Sequence, residues 1–227
     1  MQKLAESLKI DPFEFRLTYA LGIGDATITG DVLNDINGAN IKKCLLAVKS
    51  AVDKFQPPVL EYGERLGIGY AAAYKNVGLG SNIPDKGSAR VSLEKDGSFL
   101  VRHGAADMGQ GSNDVAAIVA SRVLGISLSQ IHLHTGDTKV DPPGGMTTAS
   151  RATFITGNAV FGAAQGLREK IWEEVASEFN VKVEDVEFLN GIFSDKRSGR
   201  KFISINELAK YSKPFEYEFM YLSLIHI

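Results

Sequence analysis

Cysteine is nearly absent from this sequence, since Cys44 is the only one among its 227 residues. A single thiol excludes an internal disulfide. It also excludes an iron–sulfur cluster held by cysteines of this chain alone, because such clusters take about four thiolates. Any iron–sulfur centre that works with this chain is therefore expected on another domain or subunit.

The sequence also lacks a long apolar run and an excess of one charge. No segment approaches the roughly 20 apolar residues of a membrane-spanning helix, and the opening MQKLAESLKI lacks the apolar core of a signal peptide. The 25 lysines and arginines nearly balance the 27 aspartates and glutamates, without a basic run typical of a nucleic-acid-binding surface. We expect a cytoplasmic protein that binds neither nucleic acid nor a membrane.

Hydrophobic residues make up 44% of the chain, enough for one large domain or two smaller ones. A helix is predicted over 40–55, and it must end before Pro57 and Pro58 because proline cannot continue a helix. We interpret 1–58 as the end of a preceding cofactor-domain segment followed by a linker. The main folded region is predicted over 59–213.

Apolar alternation predicts a strand-rich block after this linker. The predicted strands are RLGIGYAAAYKNVG, SARVSLEKDG and SFLVRHGAAD, with Asp96-Gly97 as a tight turn between the last two. A helix from Gly111 to Leu124, the strand SQIHLHTGD, a helix from about Gly157 to Phe179, a hairpin and a short helix follow. This order predicts an α+β fold with a mixed β-sheet and packed helices.

The segment DMGQGSND places Gln110 between two glycines at the start of a helix. Gly109 and Gly111 allow a ligand to approach the main chain closely, and a helix start offers free backbone N–H groups. An amide supplies both a donor and an acceptor, which suits an oxo-bearing or pterin-like edge better than a bare phosphate. The alternative is a strand-to-helix turn in which the glycines have only a steric role.

The segment PPGGMTTASRAT places hydroxyl groups close together before a second helix. Thr147, Thr148, Ser150 and Thr153 supply the hydroxyls, and Arg151 adds a planar set of donors. Two such helix entrances favour one polar or anionic ligand held between them. The alternative is a capped loop rich in serine and threonine with no ligand.

The sequence resembles the molybdenum-cofactor-binding region of the xanthine dehydrogenase and aldehyde oxidase family of molybdenum hydroxylases. The resemblance is collinear over about residues 4 to 190. Its segments are SLKIDPFEFRLTYAL, GDATITG, GIGYAAAYKNVGLG, GSARVSLEKDGSFLV, ADMGQGSNDVAAIVASRVLGI, GDT and TTASRATFITGNAVFGAA. It implies an incomplete molybdopterin-binding domain of the xanthine dehydrogenase type.

The resemblance implies that Gln110 lies against the pterin and the molybdenum ligands, and that the TTASRAT loop holds the pterin and its phosphate. The cofactor is molybdopterin, with the cytosine dinucleotide as a possible form. The implied cofactor-binding residues are Gly109, Gln110, Gly111, Thr148, Ala149, Ser150, Arg151 and Thr153.

The chemistry implied by the resemblance is hydroxylation of an aromatic heterocycle or an aldehyde, a small-molecule substrate, with water as the oxygen source. Iron–sulfur clusters and FAD are expected on partner domains or subunits of a hetero-oligomer. The family's GxGE-type motif, which carries the catalytic base glutamate, is not visible here, so no catalytic residue is assigned and the isolated chain is expected to be inactive. The alternatives are a non-catalytic split or relic subunit and a plain α+β scaffold.

The ends of the chain differ from the family pattern. We expect an internal piece of a longer polypeptide, because the family's Gly- and Phe-rich cofactor segment should precede IDPFEFR and is not found. Residues 214–227 are interpreted as an uncertain tail, and the abruptly apolar YLSLIHI as a non-native remnant. The alternative for this tail is a C-terminal β-strand.

Overall fold

A computed structural model describes residues 1–34, 40–75, 78–79, 83–211 and 213–223. The chain divides into two compact units, Met1–Lys75 and Asn76–Ile227. The boundary predicted after residue 58 therefore falls inside the first unit. Among the described helices, none is both long and apolar enough to cross a bilayer.

The regular secondary structure described in the first unit is mainly α-helical. Its helices are α1 (Gln2–Ser7), α2 (Pro12–Thr18) and α3 (Ile41–Asp53). Helix α2 begins at Pro12 because the Asp11 carboxylate accepts hydrogen bonds from the backbone N–H groups of Phe13 and Glu14. The ring of Phe13 packs against that of Tyr70, with centroids 4.9 Å apart.

The strand predicted over Arg65–Gly78 is wrong for Arg65–Lys75, which contains no regular structure. Its apolar side chains are exposed: Leu66 is 47%, Ile68 58% and Tyr74 63% accessible. A strand is stable only beside a partner strand, and no strand pairs with this segment within the described residues. Residues 76 and 77 lie outside the described ranges.

The described part of the second unit contains two sheets and three α-helices. In chain order its elements are β1 (Asp85–Leu93), β2 (Phe99–His103), α4 (Ser112–Leu124), β3 (Ile131–Thr135), α5 (Gly157–Glu178), β4 (Val186–Leu189), β5 (Ile192–Asp195), β6 (Lys201–Ser204), α6 (Ile205–Leu208) and β7 (Phe215–Ser223). The larger sheet has the order β3-β2-β1-β7, with β2 parallel to β3 and the other pairs antiparallel. The predicted α+β fold with a mixed sheet is confirmed.

Local signals located several of these elements correctly. Gly97, with φ of 86°, closes the β1–β2 hairpin through the bond from its N–H to the Glu94 carbonyl. Gly125, with φ of 71°, ends α4. The hairpin predicted after α5 is instead a three-stranded antiparallel sheet, β4-β5-β6.

The uncertain tail predicted over 214–227 contains a strand in the structure. Strand β7 pairs with β1 along its whole length, from Phe215 opposite Leu93 to Ser223 opposite Asp85. Its Tyr217 and Phe219 rings lie against Gly166 and Gly162 of α5. Residues 224–227 lie outside the described ranges.

The core lies between one face of the larger sheet and helices α4 and α5. Alternate residues of β1 and β2 point into it, including Val91, Phe99 and Val101, while α5 contributes Val160 and Leu167. Because β2 leads into α4 and Ile155 contacts Gly87 near the start of β1, the entrances to α4 and α5 lie at one end of this sheet.

Candidate functional site

The connection from β2 to α4, residues Gly104–Gly111, is called the first loop. Asp107 organises it by accepting hydrogen bonds from the backbone N–H groups of Gly109 (2.8 Å), Gly111 (3.3 Å) and Asn113 (2.9 Å). Gly109 and Gly111 have φ values of 100° and 79°, which other residues adopt only with strain. The bonds from Asn113 and Gly109 lower the pKa of Asp107, and the bond from Asn113 satisfies a backbone donor in the first turn of α4.

Gln110 is exposed, yet its amide group is bonded to its own loop. Its Oε1 accepts from the Met108 N–H at 2.6 Å, and its Nε2 donates to the Ala106 carbonyl at 3.0 Å and to Ser112 Oγ at 2.8 Å. Both amide hydrogens are therefore in use, and Oε1 keeps one further acceptor position. The side chain holds the loop in shape and presents an acceptor to its exposed side.

Residues Pro142–Arg151 form the second loop, which contains backbone strain. Ala149 and Ser150 have φ values of 50° and 54°, a left-handed conformation that costs about 1–2 kcal/mol for each non-glycine residue. Strain of this kind clusters at ligand-binding sites. The chain then enters α5 through a π-helical turn, Ala152–Thr156, a feature also frequent at functional sites.

The hydroxyl-bearing residues predicted from the sequence lie on the exposed side of this region. Thr148, Ser150 and Thr153 are exposed, and Ala149 is partly buried. The Ala149 carbonyl accepts a hydrogen bond from the Gly78 N–H at 2.9 Å. The second loop and the π-helical turn thus carry three exposed hydroxyl-bearing residues.

The sequence suggests that Arg151 offers its donors to a ligand. In the structure its side chain is only 2% exposed. Its Nε donates to Asp85 Oδ1 at 2.5 Å, and its Nη2 donates to the Lys86 carbonyl at 2.6 Å. Its Nη1 donates to the carbonyls of Gly144 and Met146 at 2.9 and 2.6 Å. Four of its five N–H donors are thus bonded inside the protein, and the guanidinium group fixes the second loop to β1.

The two loops are joined to each other. The Ala106 N–H of the first loop donates to Thr147 Oγ1 of the second at 2.9 Å. Their backbones also touch, since a Cβ placed on Gly104 would lie 2.6 Å from the Gly144 nitrogen. The structure therefore brings together the two glycine- and hydroxyl-rich segments that the sequence separates by about forty residues. We call the first loop, the second loop and the π-helical turn together the cradle.

Sequence reasoning missed Asp85 and His103. Asp85 lies 66 positions before its partner Arg151, and no local pattern connects them. His103 ends β2 directly before the first loop; it is fully buried, and neither ring nitrogen has a hydrogen-bond partner within the described residues. The one local signal for His103 in the sequence is its position directly before Gly104, the glycine that begins the first loop.

The residues of the cradle fit a hydrogen-bond-rich ligand. Its exposed polar groups are hydroxyls, an amide oxygen and glycine backbone, next to the exposed side chains of Met108 and Met146, while its one cation, Arg151, is paired with Asp85. A pterin offers many N–H and carbonyl groups to such partners, and the phosphate of a pterin cofactor can be met by hydroxyls and backbone N–H groups at a helix entrance. The unpartnered nitrogens of buried His103 are a further polar feature at this end of the sheet.

The chain matches the family model described as a molybdopterin cofactor-binding domain over residues 45–223. It is 30% identical over 206 residues to aldehyde oxidase 1 of Macaca fascicularis, covering 81% of this chain and 15% of that protein. It is 31% identical over 199 residues to the aldehyde oxidoreductase molybdenum-binding subunit PaoC of Escherichia coli K12, covering 84% and 25%. The chain therefore spans a quarter or less of these curated relatives.

Solved structures share the fold. Quinoline 2-oxidoreductase from Pseudomonas putida 86 superposes with a TM-score of 0.67 at 17% identity, covering 96% of this chain and 31% of that one. A reconstituted CO dehydrogenase from Oligotropha carboxidovorans gives 0.68 at 19% identity, covering 97% and 31%.

Proposed function

This chain belongs to the molybdopterin cofactor-binding domain family, and from that premise we propose that the cradle is the part that holds molybdopterin. The observation that carries the proposal is the hydrogen bond from the Ala106 N–H to Thr147 Oγ1, which joins the two loops at one end of the sheet. Two separate ligand-binding segments can act on one ligand only if they are held together in this way.

Each residue of the cradle has a specific part in this proposal. Gly109 and Gly111 let the ligand approach the main chain, because neither carries a side chain and a Cβ on Gly109 would meet nothing within 4 Å. The hydroxyls of Thr148, Ser150 and Thr153 bond polar groups of the cofactor, including its phosphate. The strained backbone at Ala149 and Ser150 keeps these hydroxyls exposed.

Gln110 and Arg151 have different tasks. Gln110 braces the first loop through its amide hydrogens and offers the remaining acceptor position of Oε1 to a pterin N–H. Arg151 is a positioning residue, because its donors bind Asp85 and the backbone of the second loop. It acts on the cofactor through the loop that it holds.

We propose that the intact enzyme hydroxylates an aromatic heterocycle or an aldehyde with oxygen from water. The bound cofactor supplies the redox chemistry, and the residues of the cradle bind and orient it. The catalytic base, the iron–sulfur clusters and the flavin are proposed to lie on other domains or subunits. Because the family's base glutamate motif is not found in this chain, the chain is proposed to be inactive alone.

The test is pterin retention by the 227-residue chain produced in a host that makes molybdopterin. Gln110→Ala removes three hydrogen bonds of the first loop, and we expect retention to fall about tenfold. Ser150→Ala removes one hydroxyl group and leaves the backbone conformation unchanged. We expect pterin retention to fall less in this variant than in Gln110→Ala. Gln165→Ala, on the exposed side of α5, is the control. Wild-type retention in Gln110→Ala would refute the assigned role.

A further inference from the structure

His103 is a buried polar side chain beside the cradle that the proposed function does not use. It is the last residue of β2, on the same core-facing side as Phe99 and Val101, and none of its surface is exposed. The next residue, Gly104, touches the backbone of Gly144. His103 therefore directly precedes the residue at which the first and second loops meet.

Neither ring nitrogen of His103 has a hydrogen-bond partner within the described part of the chain. Thr156 Oγ1, at the entrance to α5, and Asn113 Oδ1, in the first turn of α4, are also buried without a partner. All three belong to the end of the sheet that carries the cradle. Buried polar groups are almost always paired, so a group of exceptions at one place requires an explanation.

Charged and polar groups next to both loops act on the pKa of His103. Burial lowers this pKa, while the charges of Asp141 and Asp107 and the nearby backbone carbonyl of Ala105, which approaches the ring without hydrogen-bond geometry, oppose that effect. Asp107 anchors the first loop, while Asp141, bonded to His134 at 2.8 Å, directly precedes the second loop. In its neutral form the ring offers one donor and one acceptor.

We propose that His103 is a positioning residue for molybdopterin. The unpartnered Nδ1 and Nε2 of His103 form hydrogen bonds only when the cofactor is seated in the cradle. This inference rests on the proposed function. It implies a trade-off, because an unpartnered buried group destabilises the cofactor-free chain while it contributes to cofactor binding.

The trade-off is tested by replacing His103 with an apolar side chain of similar size. In His103→Leu, we expect the Tm of the cofactor-free chain to stay unchanged or rise by about 2–4 °C. Pterin retention is expected to fall about fivefold. His103→Gln, which keeps a donor and an acceptor, should restore most of the retention. His132→Leu, a histidine exposed on β3, is the matched control and should retain pterin normally.

Two results would overturn the inference while leaving the proposed function intact. The first is wild-type pterin retention in His103→Leu. The second is a parallel loss of Tm and retention that His103→Gln does not rescue, which would mark a purely structural histidine. If His103→Leu does not fold, His103→Met supplies the same comparison with a more adaptable side chain. A wild-type chain that retains no pterin would refute the proposed function and this inference together.

Discussion

At the scale of single residues, the buried pair of Arg151 and Asp85 holds the second loop. The side chains are 2% and 0% exposed, and the guanidinium group also binds three backbone carbonyls. An isolated charge at this depth would be strongly unfavourable, so the pair stabilises the loop only while both partners are present. Arg151 therefore shapes the site without facing the ligand.

Removing Arg151 should be far more damaging than removing an exposed arginine. We expect Arg151→Ala to lower the free energy of unfolding by about 3–5 kcal/mol, because Asp85 is left buried and unpaired. Arg90→Ala, which breaks the exposed pair with Glu218, should cost less than about 1 kcal/mol. Urea denaturation of both variants measures the difference, and equally small effects would contradict the structural role given to Arg151.

His103 makes stability depend on pH. Burial lowers its pKa from 6.5, so below that value the unfolded chain binds a proton that the folded chain does not. The free energy of unfolding should therefore decrease as the pH falls from about 7 to about 5. Asp107 and Asp141, whose unfolded pKa is 3.8, contribute stability that is lost only at lower pH. His103→Gln should show a flatter profile, and an unchanged slope would count against a buried neutral imidazole.

At the scale of elements, β7 is fixed by contacts with β1 and α5. A Cβ on Gly162 would lie 2.6 Å from Cε1 of the Phe219 ring, so this glycine allows the strand and the helix to approach closely. Nothing lies within 4 Å of the corresponding position on Gly157 at the start of α5. The two glycines therefore differ in what an added methyl group would meet.

This contrast gives a double-mutant test of β7. Gly162→Ala should destabilise the chain by about 1–3 kcal/mol through overpacking, whereas Gly157→Ala should be neutral or slightly stabilising. In a Phe219→Ala background the space is open, and Gly162→Ala should become nearly neutral. Additive effects of the two substitutions would mean that residues 215–223 do not pack on α5.

The elements predicted correctly are those with local signals. The turn at Asp96-Gly97, the end of α4 at Gly125 and the length of α5 depend on residues close in sequence. The failures involve pairing between distant segments. β1 pairs with β7 from Leu93 opposite Phe215 to Asp85 opposite Ser223, and no local signal in the sequence identifies a partner so far along the chain. The predicted strand over Arg65–Gly78 shows apolar alternation, but its described part, Arg65–Lys75, pairs with no strand within the described residues.

The same limit applies to the site. Glycines and hydroxyls identified the segments of the cradle, because their chemistry is local. The internal use of the Arg151 donors and the orphaned ring of His103 depend on tertiary neighbours. Gln110 was expected to face the ligand with both ends of its amide, yet its hydrogens bind Ala106 and Ser112.

At the scale of the whole molecule, the cradle belongs to the second unit and is built on one end of its mixed sheet. Its parts come from distant stretches of sequence, joined by the Ala106–Thr147 hydrogen bond and the Arg151–Asp85 pair. A ligand that bonds both loops should therefore stabilise the folded unit. The chain covers a quarter or less of its curated relatives, so substrate choice and electron transfer are proposed for the larger assembly.

The most direct measurement is the molar ratio of pterin to folded wild-type chain after production in a molybdopterin-making host. Pterin is quantified by its fluorescence after release, and folding of the same sample is checked by circular dichroism. We expect a ratio approaching one and a higher Tm than that of the cofactor-free chain, because a ligand that binds only the folded state stabilises it. A folded chain with no bound pterin and an unchanged Tm would contradict the proposed function.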